Sequence, residues 1–368
     1  MKILYLANAR IPTPRAYGLT IMKTCEAFAR AGAEVELITP TRRYKTPGDV
    51  FAFYKTDKNF LFTMLSTPDF LHFGSIGFLI SATWFAERVR WLKSFREADV
   101  ICSRDALVLV QYLLLGRKII FEAHSPPSLI FKIVARRAYR VVCISKGLMD
   151  AYIAAGVPSE NIIIAPAAVD DHFFDNVPMR DDACIQLGLP ISATIVLYTG
   201  HLYLRKGAGI LASAATLLPN TSFFFVGGTE EDILSLKKRW GNEANIQIVG
   251  HVAHERVPFY MRAADVLILP NSGKDEDSAR YTSPLKLFEY MASGKPIVAS
   301  DLPSLREILS EKNAFLVEPD NPEALAEGIR YVLTHPEESK ERAMQALEDV
   351  KFYTWKSRAK RMLDFIKL

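Results

Sequence analysis

Apolar residues fall along this chain in short unbroken runs, each followed by a polar or glycine-bearing loop and then by a longer stretch of helical period. The first run, KILYLA at residues 2–7, predicts a buried strand. After the loop NARIPTPRAYG the spacing predicts a helix from about Leu19 to Ala31, closed by Gly32, and then a strand over Glu34–Ile38. That is a βαβ opening. Strand signals recur at Asp99–Cys102, Lys118–Glu122, Arg140–Ile144 and Asn161–Ala165. Continuous rather than alternating apolar strands predict a parallel sheet covered on both faces, whose ligands bind at the carboxyl ends of its strands. Asn8, Ser103-Arg104-Asp105, Glu122-Ala123-His124 and Ser145 fall at those ends. His124, ahead of Pro126-Pro127, is placed either to meet a hydroxyl or to serve the fold alone.

Residues 49–97 are aromatic-rich and read as helical, with Trp84, Phe85, Trp91 and Leu92 beside Arg88, Arg90, Lys93 and Arg96. Such a segment packs on a sheet, lies on an anionic membrane or cradles a lipid-linked substrate. Around Asp170 to Pro190 the pattern turns polar and proline-bearing, which marks a linker. A second α/β series follows, with predicted strands at Thr194–Tyr198, Ser222–Val226, Ile246–Val249 and Val266–Leu269. The loop TGHLYLRKG brings Arg205 and Lys206 together ahead of a helix, and adjacent cations suit a diphosphate. Neither G-x-G-x-x-G after the first strand nor G-x-x-x-x-G-K-[ST] is present, so the dinucleotide and P-loop fingerprints are excluded. The terminal TWKSRAKRMLDFIKL predicts one amphipathic helix with Trp355, Met362, Leu363 and Ile366 on its apolar side.

The stretch YTSPLKLFEYMASGKPIVAS, Tyr281 to Ser300, concentrates the candidate chemistry. Ser283 is expected as N-cap and Pro284 as first helical residue, leaving free N–H groups at Leu285 and Lys286. A helix N-terminus with a cation in its first turn makes an anion site, because Lys286 opposes the macrodipole unless an anion neutralises both. Glu289 follows Pro284 by roughly 7.5 Å along the axis, about the distance from a diphosphate to its ribose diol. The same residues also fit an ordinary amphipathic helix with Leu285, Phe288 and Ala292 in the core and Gly294 as its cap.

At 368 residues, two domains are expected. With 49% hydrophobic and 23% charged residues nothing reads as disordered. Four scattered cysteines show no metal-ligand rhythm and suit structural thiols in a reducing compartment. The apolar start is too short for a signal peptide, and the uncharged run Phe70–Ala86 is short of the ~20 residues that span a bilayer, so a soluble protein is expected. The net charge of +4 is uneven: residues 1–170 hold 22 Lys and Arg against 14 Asp and Glu, a balance that suits an anionic partner or simply a solvated basic face.

Taken together, MKILYLANARIPTPRAYG, SRD, FEAH, LYTGHLYLRKG, FFFVGG, IVGHVAHERVPFYMRAADVLILP and SPLKLFEYMASGKPIVASDLPSLREIL resemble the retaining nucleotide-sugar glycosyltransferases of family four (group 1), over nearly the whole chain. The resemblance implies the α/β GT-B fold: two Rossmann-like domains with parallel sheets facing across a cleft. It implies an acceptor-binding domain over residues 1–175, a nucleotide-sugar-binding domain over 186–350, and a C-terminal helix, about 352–368, crossing back to the first. It further implies transfer of a hexose-type sugar from a UDP- or GDP-sugar to a hydroxyl, on a glycan or lipid-linked acceptor of bacterial surface synthesis. No metal, no other cofactor and no nucleic acid is expected. The setting is cytoplasmic, with peripheral contact to the inner membrane face through the first domain. Carried over by motif, Glu289 matches the acid on the ribose, Lys206 the cation on the diphosphate, and Ser283, Pro284 and Leu285 the turn that cradles the distal phosphate. His124 matches the histidine on the donor sugar, Gly18 the first-loop glycine near the phosphate, and Val252 the region of the base. Two positions depart from the pattern. Tyr281 stands where the first acid of Glu-x7-Glu belongs, with Asp275, Glu276 or Asp277 as replacements, and His201 stands in place of the usual arginine, with Arg205 as its substitute. A UDP-sugar 2-epimerase of the same fold and a non-catalytic binding subunit are the alternatives.

Overall fold

Two all-parallel sheets organise the chain, and each is built from the unbroken apolar runs. The computed structural model describes residues 1–42, 48–203 and 206–368. It separates into two compact units, Met1–Ala167 with Trp355–Leu368, and Ala168–Thr354.

In the first unit β1 (Lys2–Leu6), β2 (Glu34–Pro40), β3 (Leu61–Leu65), β4 (Val100–Ser103), β5 (Ile119–Ala123), β6 (Arg140–Cys143) and β7 (Ile162–Ile164) lie in the order β3-β2-β1-β4-β5-β6-β7. β1 is central, with Tyr5 opposite Leu37 on one side and Cys102 on the other. Its residues Ile3 to Leu6 are buried, as a strand covered on both faces requires. The order reverses between β1 and β4, so the ligand crevice of this sheet is expected at their carboxyl ends. β3 lies within the stretch read as helical. A five-residue apolar run such as LFTML does not distinguish strand from helix by period, and the helices Val50–Tyr54, Gly74–Arg90 and Lys93–Glu97 surround it.

The second unit repeats the plan. β8 (Ile195–Thr199), β9 (Ser222–Val226), β10 (Ile246–Gly250), β11 (Val266–Leu269), β12 (Ile297–Ser300) and β13 (Phe315–Val317) lie in the order β10-β9-β8-β11-β12-β13, and the reversal falls between β8 and β11. Val196, Tyr198, Phe223, Phe225 and Ile268 form its core with the helices Ala208–Thr216 and Pro322–Thr334. The segment read as a linker contains a helix, Arg180–Leu187. It was illegible because its apolar residues are few and do not keep to one face. A forked ion pair, Arg180 Nε and Nη2 to the Asp265 carboxylate at 2.9 and 3.1 Å, ties it to the amino end of β11.

The first unit ends at Ala167, so residues 168–175 group with the second unit. Val169 N–H donates to the Tyr353 carbonyl at 3.0 Å within that unit. The terminal helix Trp355–Lys367 belongs to the first unit, where it packs on the helix Ala16–Arg30, and its Trp355, Ala359, Met362, Leu363 and Ile366 are buried. All four cysteines are free and buried. Among the described residues no helix is long and apolar enough to cross a membrane.

Candidate active site

The helix Leu285–Ala292 starts one residue later than expected. Pro284 is its N-cap, in extended conformation with ψ at 132°, and Ser283 stands outside it. Proline has no side-chain acceptor, so the helix begins without a side-chain cap and the N–H groups of Leu285 and Lys286 have no intrahelical acceptor. The corrected start strengthens the anion reading, since a serine cap would have consumed one of those donors. The helix is fixed to the end of β8 from within: the Tyr290 hydroxyl accepts from Thr199 N–H at 2.8 Å and lies 3.2 Å from Thr199 Oγ1.

Lys286 reaches over the same strand end. Its Nζ sits 3.8 Å from the ring centroid of buried Tyr198, against the backbone of Gly200. The residue is half-buried, but Nζ is shielded from solvent and has no hydrogen-bond partner among the described residues. Burial first, and then the nearby Lys206, push this ammonium well below the usual lysine range, while Glu289 pulls the other way. Lys206 is positioned by Gly207, which follows it at φ 77° and precedes the helix Ala208–Thr216. A Cβ at Gly207 would lie 1.6 Å from the Pro270 carbonyl at the end of β11, so only glycine lets this loop close on the switch point. Two cations and an uncapped helix terminus therefore meet at the carboxyl ends of β8 and β11. Arg205, the third expected cation, lies outside the described residues.

Glu289, one turn along the helix, is 8% exposed, and its Oε1 is 3.1 Å from His254 Nε2. His254 follows the loop after β10 and also meets the Phe173 ring at 5.4 Å. His254 carries no motif of its own in the sequence. Its only signal was its place two residues past Val252, which is half-buried in the same loop. Tyr281 ends a five-residue π-helix, Asp277–Tyr281, and its hydroxyl donates to Glu276 Oε1 at 3.2 Å. Of the three acids named as replacements, Asp275 caps this turn by accepting from Ser278 N–H at 2.8 Å. Glu276 is the one whose carboxylate reaches the tyrosine.

In the first unit Gly18 lies inside the helix Ala16–Arg30, not ahead of it. Its N–H donates to the Arg15 carbonyl at 3.0 Å, and a Cβ there would lie 2.2 Å from Tyr54 Oη. That hydroxyl clamps Thr13 from both sides, accepting from its N–H at 2.6 Å and donating to its carbonyl at 2.9 Å. The glycine is thus demanded by packing of the first loop. His124 follows β5 directly, with Nε2 2.9 Å from Oε1 of Glu122. Burial and Arg104 push its pKa down to about 4 despite Glu122, so the ring is neutral at pH 7. Among the described residues no three His, Cys, Asp or Glu side chains cluster as metal ligands.

Two family profiles match this chain. "Glycosyltransferase Family 4" covers residues 18–173 and "Glycosyl transferases group 1" covers residues 193–335, together most of the sequence. A D-inositol 3-phosphate glycosyltransferase of Xylanimonas cellulosilytica is 27% identical over 222 residues, 57% of this chain and 52% of the relative. The match thus spans about half the length of that relative. Among solved structures, sucrose-phosphate synthase from Thermosynechococcus elongatus superposes with a TM-score of 0.82 at 20% identity, covering 100% of this chain and 98% of that one. Anabaena HepE in complex with UDP and glucose superposes with a TM-score of 0.78 at 19% identity, covering 100% and 99%. At these identities the likeness to the solved structures establishes the fold.

Proposed function

This chain belongs to the family 4, group 1 glycosyltransferases and has their GT-B fold, and on that premise we propose that it moves a hexose-type sugar from a UDP- or GDP-sugar to a hydroxyl acceptor with retention of configuration. The observation that carries the reading is Lys286: a shielded ammonium with no hydrogen-bond partner among the described residues, at an uncapped helix terminus beside Lys206. Such a site is incomplete without an anion, and a diphosphate supplies one. Glu289 would then accept from the ribose hydroxyls with His254 holding its carboxylate, and Val252 would border the base. Tyr281 and Glu276 would meet the donor sugar, and His124 would contact one of its hydroxyls.

In the reaction the bond between the anomeric carbon and the diphosphate oxygen breaks while the acceptor oxygen bonds to that carbon on the same face. The acceptor proton passes to the departing phosphate oxygen. Negative charge grows on the diphosphate, where Lys206, Lys286 and the helix terminus stabilise it. These groups do the work otherwise assigned to a metal, so turnover is expected to survive chelation by EDTA. The reaction belongs to bacterial cell-surface glycan or glycolipid synthesis. A lipid-linked acceptor fits the helix Gly74–Arg90, which is apolar on both faces: Phe85, Ala86 and Val89 are buried while Ile76, Leu79, Ile80 and Trp84 are exposed. With Arg88 and Arg90 beside it, in a unit holding 27 Lys and Arg against 14 Asp and Glu, this face suits peripheral contact with an anionic bilayer.

A screen of UDP- and GDP-sugars by release of nucleoside diphosphate, with membrane-extracted acceptors, tests the reading. Release from one donor that depends on acceptor supports it. Conversion of a UDP-sugar to its 2-epimer without acceptor, or no turnover of any donor, would replace it.

A further inference from the structure

Beneath His124 lies a buried charge network that the proposed chemistry does not use. Glu122, on β5, is 1% exposed, and both its oxygens are occupied. Oε2 accepts from the Tyr5 hydroxyl at 2.8 Å, and Oε1 accepts from Arg358 Nη2 at 2.6 Å while lying 2.9 Å from His124 Nε2. Arg358 comes from the terminal helix, far away in sequence, and is 5% exposed. Each of its nitrogens goes to a different element: Nε donates to the Pro166 carbonyl at 2.9 Å and Nη1 to Thr24 Oγ1 at 3.1 Å. The guanidinium is thereby locked under the carboxylate.

We propose that Glu122 and Arg358 are positioning residues that fix His124 as its Nε2–H tautomer and leave Nδ1 as an acceptor for a donor-sugar hydroxyl. An ionised carboxylate only accepts, so the histidine nitrogen facing Glu122 carries the ring proton, and a neutral imidazole has one such proton. Nδ1 takes no partner among the described residues and keeps its lone pair. Arg358 is what keeps Glu122 ionised. Burial alone would protonate the acid; Arg358, His124 and Arg104 hold its carboxyl well below the usual range. The other groups facing it, Tyr5 on β1, Cys25 on the helix Ala16–Arg30 and Cys102 on β4, are pushed up by burial and stay neutral. A protonated Glu122 could instead donate to Nε2 and reverse the tautomer. The terminal helix thus sets the hydrogen-bonding polarity of a residue at the end of β5.

The role of Nδ1 rests on the proposed donor site, whereas the tautomer does not, and the experiment separates them. In full-length protein labelled with 15N at histidine, the ring signals missing from His124→Asn report the tautomer without substrate. A protonated Nε2 and bare Nδ1 at neutral pH are expected; a protonated Nδ1 overturns the proposal whatever the activity. The double variant Glu122→Gln/Arg358→Met removes both buried charges together, which spares the fold the cost of an unpaired one. It is expected to show both tautomers and a kcat lower by about tenfold, as for one neutral hydrogen bond, with donor KM little changed. Arg358→Lys, which keeps the charge, is expected to keep the tautomer and most of kcat. A double variant with the wild-type tautomer and kcat overturns the proposal. A correct tautomer in a protein that turns over no donor overturns the proposed function alone.

Discussion

The two switch points of this molecule have the same strand order and opposite electrostatics. Beside the first, Glu122 on the neighbouring β5 is saturated by Arg358, Tyr5 and His124 before any ligand arrives. At the second, Lys286 is shielded, has no hydrogen bond among the described residues and is crowded by Lys206. The first unit is basic, and the second holds 18 Lys and Arg against 27 Asp and Glu, so the cationic site of the second unit is local and runs against its surroundings. Buried charge that is already paired holds geometry; buried charge left unpaired is a demand for a ligand. The fold repeats one framework, pairing its buried charge in one copy and, on the proposed reading, keeping it for a ligand in the other.

The largest effect should come from breaking the saturated side. Arg358→Met leaves the Glu122 carboxylate buried and uncompensated, and chemical denaturation should show a loss of about 3–5 kcal/mol. Breaking the unsaturated side should do the reverse, sparing the fold and removing turnover. Lys206→Ala is expected to cost about 2.7–4 kcal/mol of transition-state stabilisation, read as kcat/KM by nucleoside diphosphate release, with the free energy of unfolding within about 0.5 kcal/mol of wild type. A smaller effect sharpens the contrast through pH. His124 is held near pKa 4 in the fold against its ordinary 6.5. Below 6.5 the unfolded chain therefore binds a proton that the native ring refuses, and stability is lost as pH falls. Between pH 6.5 and 4.5, above the ordinary carboxylate range of Glu122, this group contributes a decline of about 2–3 kcal/mol. Urea unfolding across that window should show the decline in wild type and a flatter profile in His124→Asn.

Much of this was legible in sequence, for a physical reason. Parallel strands buried on both faces are written as unbroken apolar runs, and KILYLA and FFFV declare themselves without help from neighbours. The exceptions were elements whose identity depends on what they pack against. β3 is an edge strand whose five residues fit either period, and Arg180–Leu187 is held by an ion pair to a residue on another element rather than by an apolar stripe. The helix at Leu285 was found but mis-capped, because Ser283-Pro284 matches a cap motif and the extended backbone of Pro284 displaces it by one residue. Local rules of helix termini and charge single out Lys206, Lys286 and Glu289 as candidates. They do not single out His254 and Arg358, because each matters through a partner far away in sequence, Glu289 and Glu122 respectively. Arg358 is the plainer case: on a helical wheel it borders the apolar face and reads as a solvated cation, and only the fold shows it to be 5% exposed.

The most direct test is calorimetric titration of UDP and of GDP into wild type and Lys286→Ala, repeated in two buffers of different ionisation enthalpy on the alkaline side of neutrality. Because Lys286 is held below its usual range, a bound diphosphate should restore its charge, so one of the two nucleotides is expected to bind wild type with net proton uptake. In Lys286→Ala the same nucleotide should bind about tenfold or more weakly and without that uptake. Failure of both nucleotides to bind wild type, or proton uptake undiminished in Lys286→Ala, would contradict the assignment of this helix terminus as the diphosphate site.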